Sequence, residues 1–170
     1  VITLQKYNAA GVLQWTFTPS SFQTTYTYYG DFAVDRNSSN IYICEGFNTN
    51  GSNVVKINSA GTQLSLYGGN IQFAEMWRIA FSNCTNQAVI AGGGTSNPTY
   101  QTCVLDSNLN NLTPQQYVVT TNCCHDVNML AIDNYGFSYQ VTNRSGMFDG
   151  LFENALVKLP LSNLTTPTYS

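Results

Sequence analysis

The chain has 170 residues, of which 9 % are charged and 13 % aromatic, and a net charge of −3. Six basic residues cannot make the cationic stripe that replaces phosphate counterions, so nucleic acid is excluded as a partner. The chain is too aromatic to be disordered, and its apolar runs are too short to cross a bilayer. It reads as one β-rich domain made soluble by Asn, Ser, Thr and Tyr.

Taken in order, Ile2 to Tyr7 predicts a strand, Asn8-Ala9-Ala10-Gly11 a turn, and Val12 to Phe17 a second strand. The opening VITLQKYN reads as a strand entered midway and not as a signal peptide, which implies an upstream segment removed or left out. Pro19 to Tyr29 is a connection. FAVD (Phe32 to Asp35), IYICE (Ile41 to Glu45) and VVKIN (Val54 to Asn58) then predict three strands separated by polar turns, and Gln63 to Tyr67 a fourth. The next group is RIAFS, AVIAGG, QTCVLD and Gln116 to Thr120, with turns at Asn83 to Asn86 and Gly92 to Pro98. The last is MLAID, FSYQV, ALVKL and a final strand near Thr166, with a long loop from Thr142 to Asn154. No stretch has helical periodicity.

These groups are copies. FAVD recurs as Ile79-Ala80-Phe81-Ser82 and as Leu130-Ala131-Ile132-Asp133, while QKYNAAG, VKINSAG, CVLDSN and VKLPLSN align as a closing strand and turn. The spacing of roughly 46 to 53 residues is that of propeller blades or related β-arrays, whose four-stranded sheets must stack to bury both faces. The fold expected is therefore all-β: about three and a half blades of four antiparallel strands. Residues 1–29 form a partial blade, and 30–70, 71–120 and 121–170 form full ones. Three and a half blades leave open sheet edges, so the chain is expected to belong to a larger propeller or to pair with other chains.

GDFAVD, EMWRIAFSNCTNQAVIAGGG, CCHDVNMLAIDN and VKLPLSNLT resemble the propeller-like N-terminal region of very large Bacteroidota surface proteins. Those proteins are similar to gliding-associated adhesins exported by the type IX secretion system. The resemblance spans about Leu4 to Thr166 and implies a secreted, cell-surface or filament-associated role. It brings no catalytic residues with it.

Five cysteines and one histidine, without paired Cys-x-x-Cys knuckles, do not make a zinc site. Cys84, Cys103, Cys123 and Cys124 are disulfide candidates of open connectivity, a vicinal Cys123–Cys124 bridge being weighed against longer-range pairing. Cys44, mid-strand, reads as a buried free thiol. Seven positions before the residue that ends each first strand stand Tyr28, Glu75 and Asp126. Equivalent positions in a propeller meet at one mouth of the axis. Glu75, Asp126 and His125, beside Tyr28, Tyr29 and Trp77, are thus candidates for binding a sugar by stacking and polar contacts, or a calcium ion through oxygens. The plainer alternative is that they cap loops.

Cys124-His125 lacks a third, orienting group for nucleophilic catalysis, and Gly92-Gly93-Gly94 lacks the lysine and helix of a phosphate loop. Asp35 and Asp133 fall at equivalent turns, where Asp accepts backbone N–H bonds; repetition points to a role in the fold and not to a glycosidase pair. Six sequons, at Asn37, Asn50, Asn83, Asn111, Asn143 and Asn163, are glycosylation candidates, although about four would arise by chance in so amide- and hydroxyl-rich a chain. The function expected is a non-catalytic extracellular scaffold or adhesin segment that binds glycan or protein. A self-assembling filament subunit and a carbohydrate-active enzyme are the alternatives.

Overall fold

The computed structural model describes residues 3–20, 30–45, 52–70, 75–93, 99–112, 117–120, 127–145, 152–162 and 168–169. These residues are all-β, without a helix, and no helix among them is long and apolar enough to cross a membrane. Among the described residues four small antiparallel sheets follow one another along the chain, and none closes on itself. The first is a hairpin of β1 (Leu4–Tyr7) and β2 (Leu13–Phe17). Three four-stranded meanders follow. Meander I holds β3 (Gly30–Val34), β4 (Ile41–Glu45), β5 (Ser52–Ile57) and β6 (Gln63–Asn70). Meander II holds β7 (Glu75–Ser82), β8 (Gln87–Gly93), β9 (Thr99–Asp106) and β10 (Tyr117–Thr120). Meander III holds β11 (Val127–Ile132), β12 (Phe137–Ser145), β13 (Phe152–Pro160) and β14 (Thr168–Tyr169).

The sheets stack in chain order, and the strand sequences show why. Side chains of a strand alternate between its two faces, so a strand between two sheets needs apolar residues at consecutive positions. In β4, Tyr42 and Cys44 face meander II, while Ile43 faces the hairpin. In β8, Ala88 and Ile90 join the core shared with meander I, whereas Val89 and Ala91 join the core shared with meander III. In β9, Cys103 and Leu105 point one way and Val104 the other. Such fully buried aliphatic side chains stabilise the stack by roughly 1.5–3 kcal/mol each. The first strands run side by side, with β7 against β3 and against β11. The hairpin lies over β4 and β5 through Leu4, Trp15 and Phe17, which pack on Ile43, Val55 and Ile57.

Four turns share one device. Asn8, Asn58, Asp106 and Asp133 each accept the amides two and four residues ahead on one side-chain oxygen, at 2.8–3.0 Å. The residue three ahead has positive φ: Gly11 (76°), Gly61 (82°), Leu109 (70°) and Gly136 (85°). An Asx oxygen satisfies amides that a tight reversal leaves unpaired, and glycine takes the left-handed backbone without a Cβ clash. Asp35 makes a variant one residue longer: it accepts from the Asn37 amide and the Ser38 hydroxyl, and Ser39 is the residue with positive φ.

Two expectations change. Of the loop expected from Thr142 to Asn154, residues 142–145 and 152–154 are strand, because β12 and β13 stay paired from Phe137↔Pro160 out to Ser145↔Phe152. Alternation there is hidden by polar residues, so the pairing is carried by the backbone ladder. Gly92 and Gly93, read both as the end of the AVIAGG strand and as the start of a turn, continue β8, paired with Gln101 and Tyr100. The final strand expected near Thr166 is Thr168–Tyr169. Cys44 is fully buried as a free thiol, and burial pushes its pKa up to about 12, with Asp31 adding to the rise.

Candidate functional site

Strands β3, β7 and β11 end beside one another, and their turns surround a depression of about 300 Å³. Val34 and Arg36 line it from meander I, Phe81, Ser82 and Asn83 from meander II, and Ile132, Asp133 and Asn134 from meander III. The repeat explains the convergence, since Arg36, Asn83 and Asn134 are the same position in three copies, one residue past the end of the FAVD-like segment. Neighbouring turns are fastened to one another there. The Arg36 amide donates to Asn83 Oδ1 at 2.8 Å, the Asn37 side-chain amide to the Asn83 carbonyl at 3.4 Å, and the Cys84 thiol to Asn134 Oδ1 at 3.5 Å.

Most of the oxygens around the rim are already engaged. Ser82 Oγ accepts the Thr85 amide and caps its own turn. Asp133 Oδ1 accepts the amides of Tyr135 and Phe137, and Oδ2 accepts the Tyr139 hydroxyl at 2.9 Å. Partial desolvation pushes the Asp133 carboxyl up, but the Phe137 and Tyr135 amides, the Tyr139 hydroxyl and Lys158 outweigh it and hold the net value below the ordinary one. Asp133 is thus an anchored anion. Arg36 brings a guanidinium where the other two copies bring a carboxamide. The lining therefore combines guanidinium and carboxamide groups with the side chains of Val34, Phe81 and Ile132. Hydroxyl-rich ligands match such a surface, because each hydroxyl both donates and accepts.

A second polar group is buried at the opposite end of meander I. Glu45 is 0 % exposed and accepts from the Asn53 side-chain amide at 2.8 Å. Gly68 makes room for it, since a Cβ there would stand 1.9 Å from Asn53 Oδ1. Asp31 lies on the same side of the sheet stack and accepts the Ile79 amide at 3.2 Å, tying β3 to β7. Glu45 ends a strand that reads as apolar, and only its charged side chain among hydrophobic neighbours marks it in the sequence.

Of the candidates expected from sequence, only Glu75 and Trp77 fall in described strands, at that opposite end. Tyr28, Tyr29, His125 and Asp126 fall outside the described residues. Glu75 opens β7 and Trp77 sits in the bulge between Met76 and Arg78 that interrupts the pairing; their side chains are outside the description. A sugar or calcium site built from these six is therefore neither assembled nor dispersed by what is described. Among the described residues no three His, Cys, Asp or Glu side chains gather as a metal site. Of the disulfide candidates, Cys84 is an exposed free thiol. Cys103 is buried in β9 with its sulfur toward Asn111 Oδ1 at 3.4 Å, and Cys123 and Cys124 lie outside the described residues. Of the sequons, Asn37 and Asn111 are exposed and Asn83 is half-buried at the depression. Asn143 is in β12, and Asn50 and Asn163 lie outside the described residues.

The depression is not marked by the residues before the first strands, from which the sequence candidates come, but by those after them. Its signal was present in the aligned trio Arg36, Asn83 and Asn134. No protein-family profile matches this chain, and no curated protein matches it significantly.

Proposed function

We propose that the chain is a section of β-propeller, its hairpin and three meanders serving as successive blades, and that it acts outside the cell as a non-catalytic scaffold that binds glycans. The observation that carries this reading is the lateral row of first strands, β3 beside β7 beside β11, with their turns meeting around one polar depression. A row of inner strands around an axis, with a ligand mouth at one end, is how blade arrays present a site. The low charge, the many amides and hydroxyls and the six sequons support an extracellular setting. The resemblance to propeller-like regions of type IX-secreted gliding adhesins supports a surface role.

The test is a glycan array probed with the 170-residue chain. Saturable binding to a subset of glycans is expected, weakened at least about tenfold, or roughly 1.4 kcal/mol, by Arg36→Ala with Asn134→Ala. Loss confined to Glu75→Ala and Trp77→Ala moves the ligand to the other end of the sheets. Absence of binding to any glycan overturns the reading. Turnover of a bound glycan, abolished by Glu75→Gln, replaces a binding module with a hydrolase.

A further inference from the structure

Arg36, Asn83 and Asn134 fill one position in three copies, yet only the first carries a charge. The turn uses the backbone of Arg36, whose amide donates to Asn83 Oδ1 at 2.8 Å. Its exposed guanidinium makes no hydrogen bond and no ion pair among the described residues. The two turn carboxylates have other counter-charges, Lys56 for Asp35 and Lys158 for Asp133. The rest of the lining is biased the same way, because every side-chain oxygen in it is engaged within the protein. Asn83 Oδ1 accepts the Arg36 amide, Asn134 Oδ1 the Cys84 thiol and Ser82 Oγ the Thr85 amide. Both Asp133 oxygens are taken by the Tyr135 and Phe137 amides and the Tyr139 hydroxyl. The side-chain NH2 groups of Asn83 and Asn134 have no partner among the described residues. What remains for a ligand is N–H, part of it cationic, beside the apolar side chains of Val34, Phe81 and Ile132.

From this surplus of donors we infer that the depression selects acidic saccharides, holding a carboxylate or sulfate on Arg36 with the Asn83 and Asn134 amides as further donors. An oxyanion accepts hydrogen bonds and gives none. A neutral hydroxyl can use the same donors, but its own hydrogen needs an acceptor, and those of the lining are engaged. The planar guanidinium meets two anionic oxygens with two parallel bonds, and such charge-assisted bonds are roughly twice as strong as neutral ones. The apolar side chains suit the C–H face of a sugar ring. The inference rests on the glycan-binding reading and adds to it the charge of the ligand.

The test is calorimetric titration of the 170-residue chain with trigalacturonate, with its trimethyl ester and with a sulfated galactose trisaccharide, at low salt. At least one of the two acids is expected to bind about tenfold or more tighter than the ester, the span of one hydrogen bond to a charged group. Which acid it is tells a carboxylate from a sulfate as the source of the anion. Arg36→Gln should bring the acids down to the affinity of the ester, Arg36→Lys should keep part of the preference, and added salt should shrink it. Asp133→Asn keeps a turn oxygen of the kind that Asn8 and Asn58 supply, and should tighten acid binding by removing the one carboxylate of the lining. Equal affinity for acid and ester, or a preference that survives Arg36→Gln, overturns the inference and leaves glycan binding standing. So does a chain that binds neutral glycans on the array but neither acid. A chain that binds no glycan at all loses both readings.

Discussion

Two seams between sheets solve the same packing problem differently. Between meanders I and II, Tyr42 stacks on Phe81 with centroids 4.8 Å apart, and a polar latch closes the rim. Lys56 Nζ and Tyr42 Oη both donate to the Ser107 carbonyl, at 2.7 and 2.9 Å, and the ammonium lies 5.7 Å from the Tyr42 ring. Burial pushes the Tyr42 phenol upward, so it stays protonated and keeps donating. Between meanders II and III the position of Lys56 is taken by Val104, packed with Val89, Ala91, Val157 and Leu159. The polar contact there has moved inside the seam, as the Thr102 hydroxyl donates to Gln140 at 3.1 Å. The hairpin seam resembles the first: Lys6 Nζ and Trp15 Nε1 both donate to the Ser59 carbonyl, at 2.8 and 3.0 Å. One repeat therefore carries two kinds of joint. In one, a lysine reaches the carbonyl after the Asx residue of the next turn; in the other, an aliphatic side chain fills the space.

Val104→Lys is the most severe way to break this distinction. It places an ammonium in an aliphatic seam and should cost about 4 kcal/mol or more, read as loss of the cooperative denaturation transition. Lys56→Met, the converse exchange, should cost about 1–3 kcal/mol in denaturant titration, because the latch is lost while the stem is still filled. A stability gain would show instead that the latch is a cost tolerated for register. Gly61→Ala probes the hairpin joint. Its new Cβ would meet the Trp15 ring at 2.9 Å, whereas at Gly11 nothing stands within 4 Å. Both sites have positive φ, so both should lose about 1 kcal/mol from backbone strain, and only Gly61→Ala should lose more and alter the indole fluorescence.

The smallest effect is acid sensitivity. At Asp35 and Asp106 burial raises the carboxyl pKa, but the Ser38 hydroxyl and nearby amides in one case, and Asn110 and nearby amides in the other, lower it further. Lys56 adds to the lowering in both. With folded values below unfolded ones, these groups contribute stability that is complete above the unfolded pKa of about 3.9 and disappears as pH falls through the folded values. Asp106→Asn keeps the turn, as Asn8 and Asn58 do, and should flatten the decline of stability between about pH 5 and 2. Lys56→Met should make that decline smaller and end it at a higher pH, because the folded values move up toward the unfolded one.

The strands were largely legible because stacking demands apolar residues on both faces, and runs such as Tyr42-Ile43-Cys44 and Ala88-Val89-Ile90 have no other soluble use. The Asx turns were legible for a similar reason: few residues both accept amides and precede a glycine. The outer halves of β12 and β13 were not, since polar strands held by backbone pairing look like loop. The depression was illegible as a site because Arg36, Asn83 and Asn134 mean little singly; only three copies brought side by side make a surface of them.

Leu109 sets a limit on exchanging these turns. It occupies the left-handed position that glycine fills at residues 11, 61 and 136, yet its side chain is buried in the core between meanders I and II. Transplanting the Asn58–Thr62 loop onto Asp106–Asn110 would relieve the backbone and open a void beneath it. In this one copy the hairpin tip doubles as a stopper, so an engineer who shortens, lengthens or grafts the tips can treat the others as spare parts but must carry that leucine along.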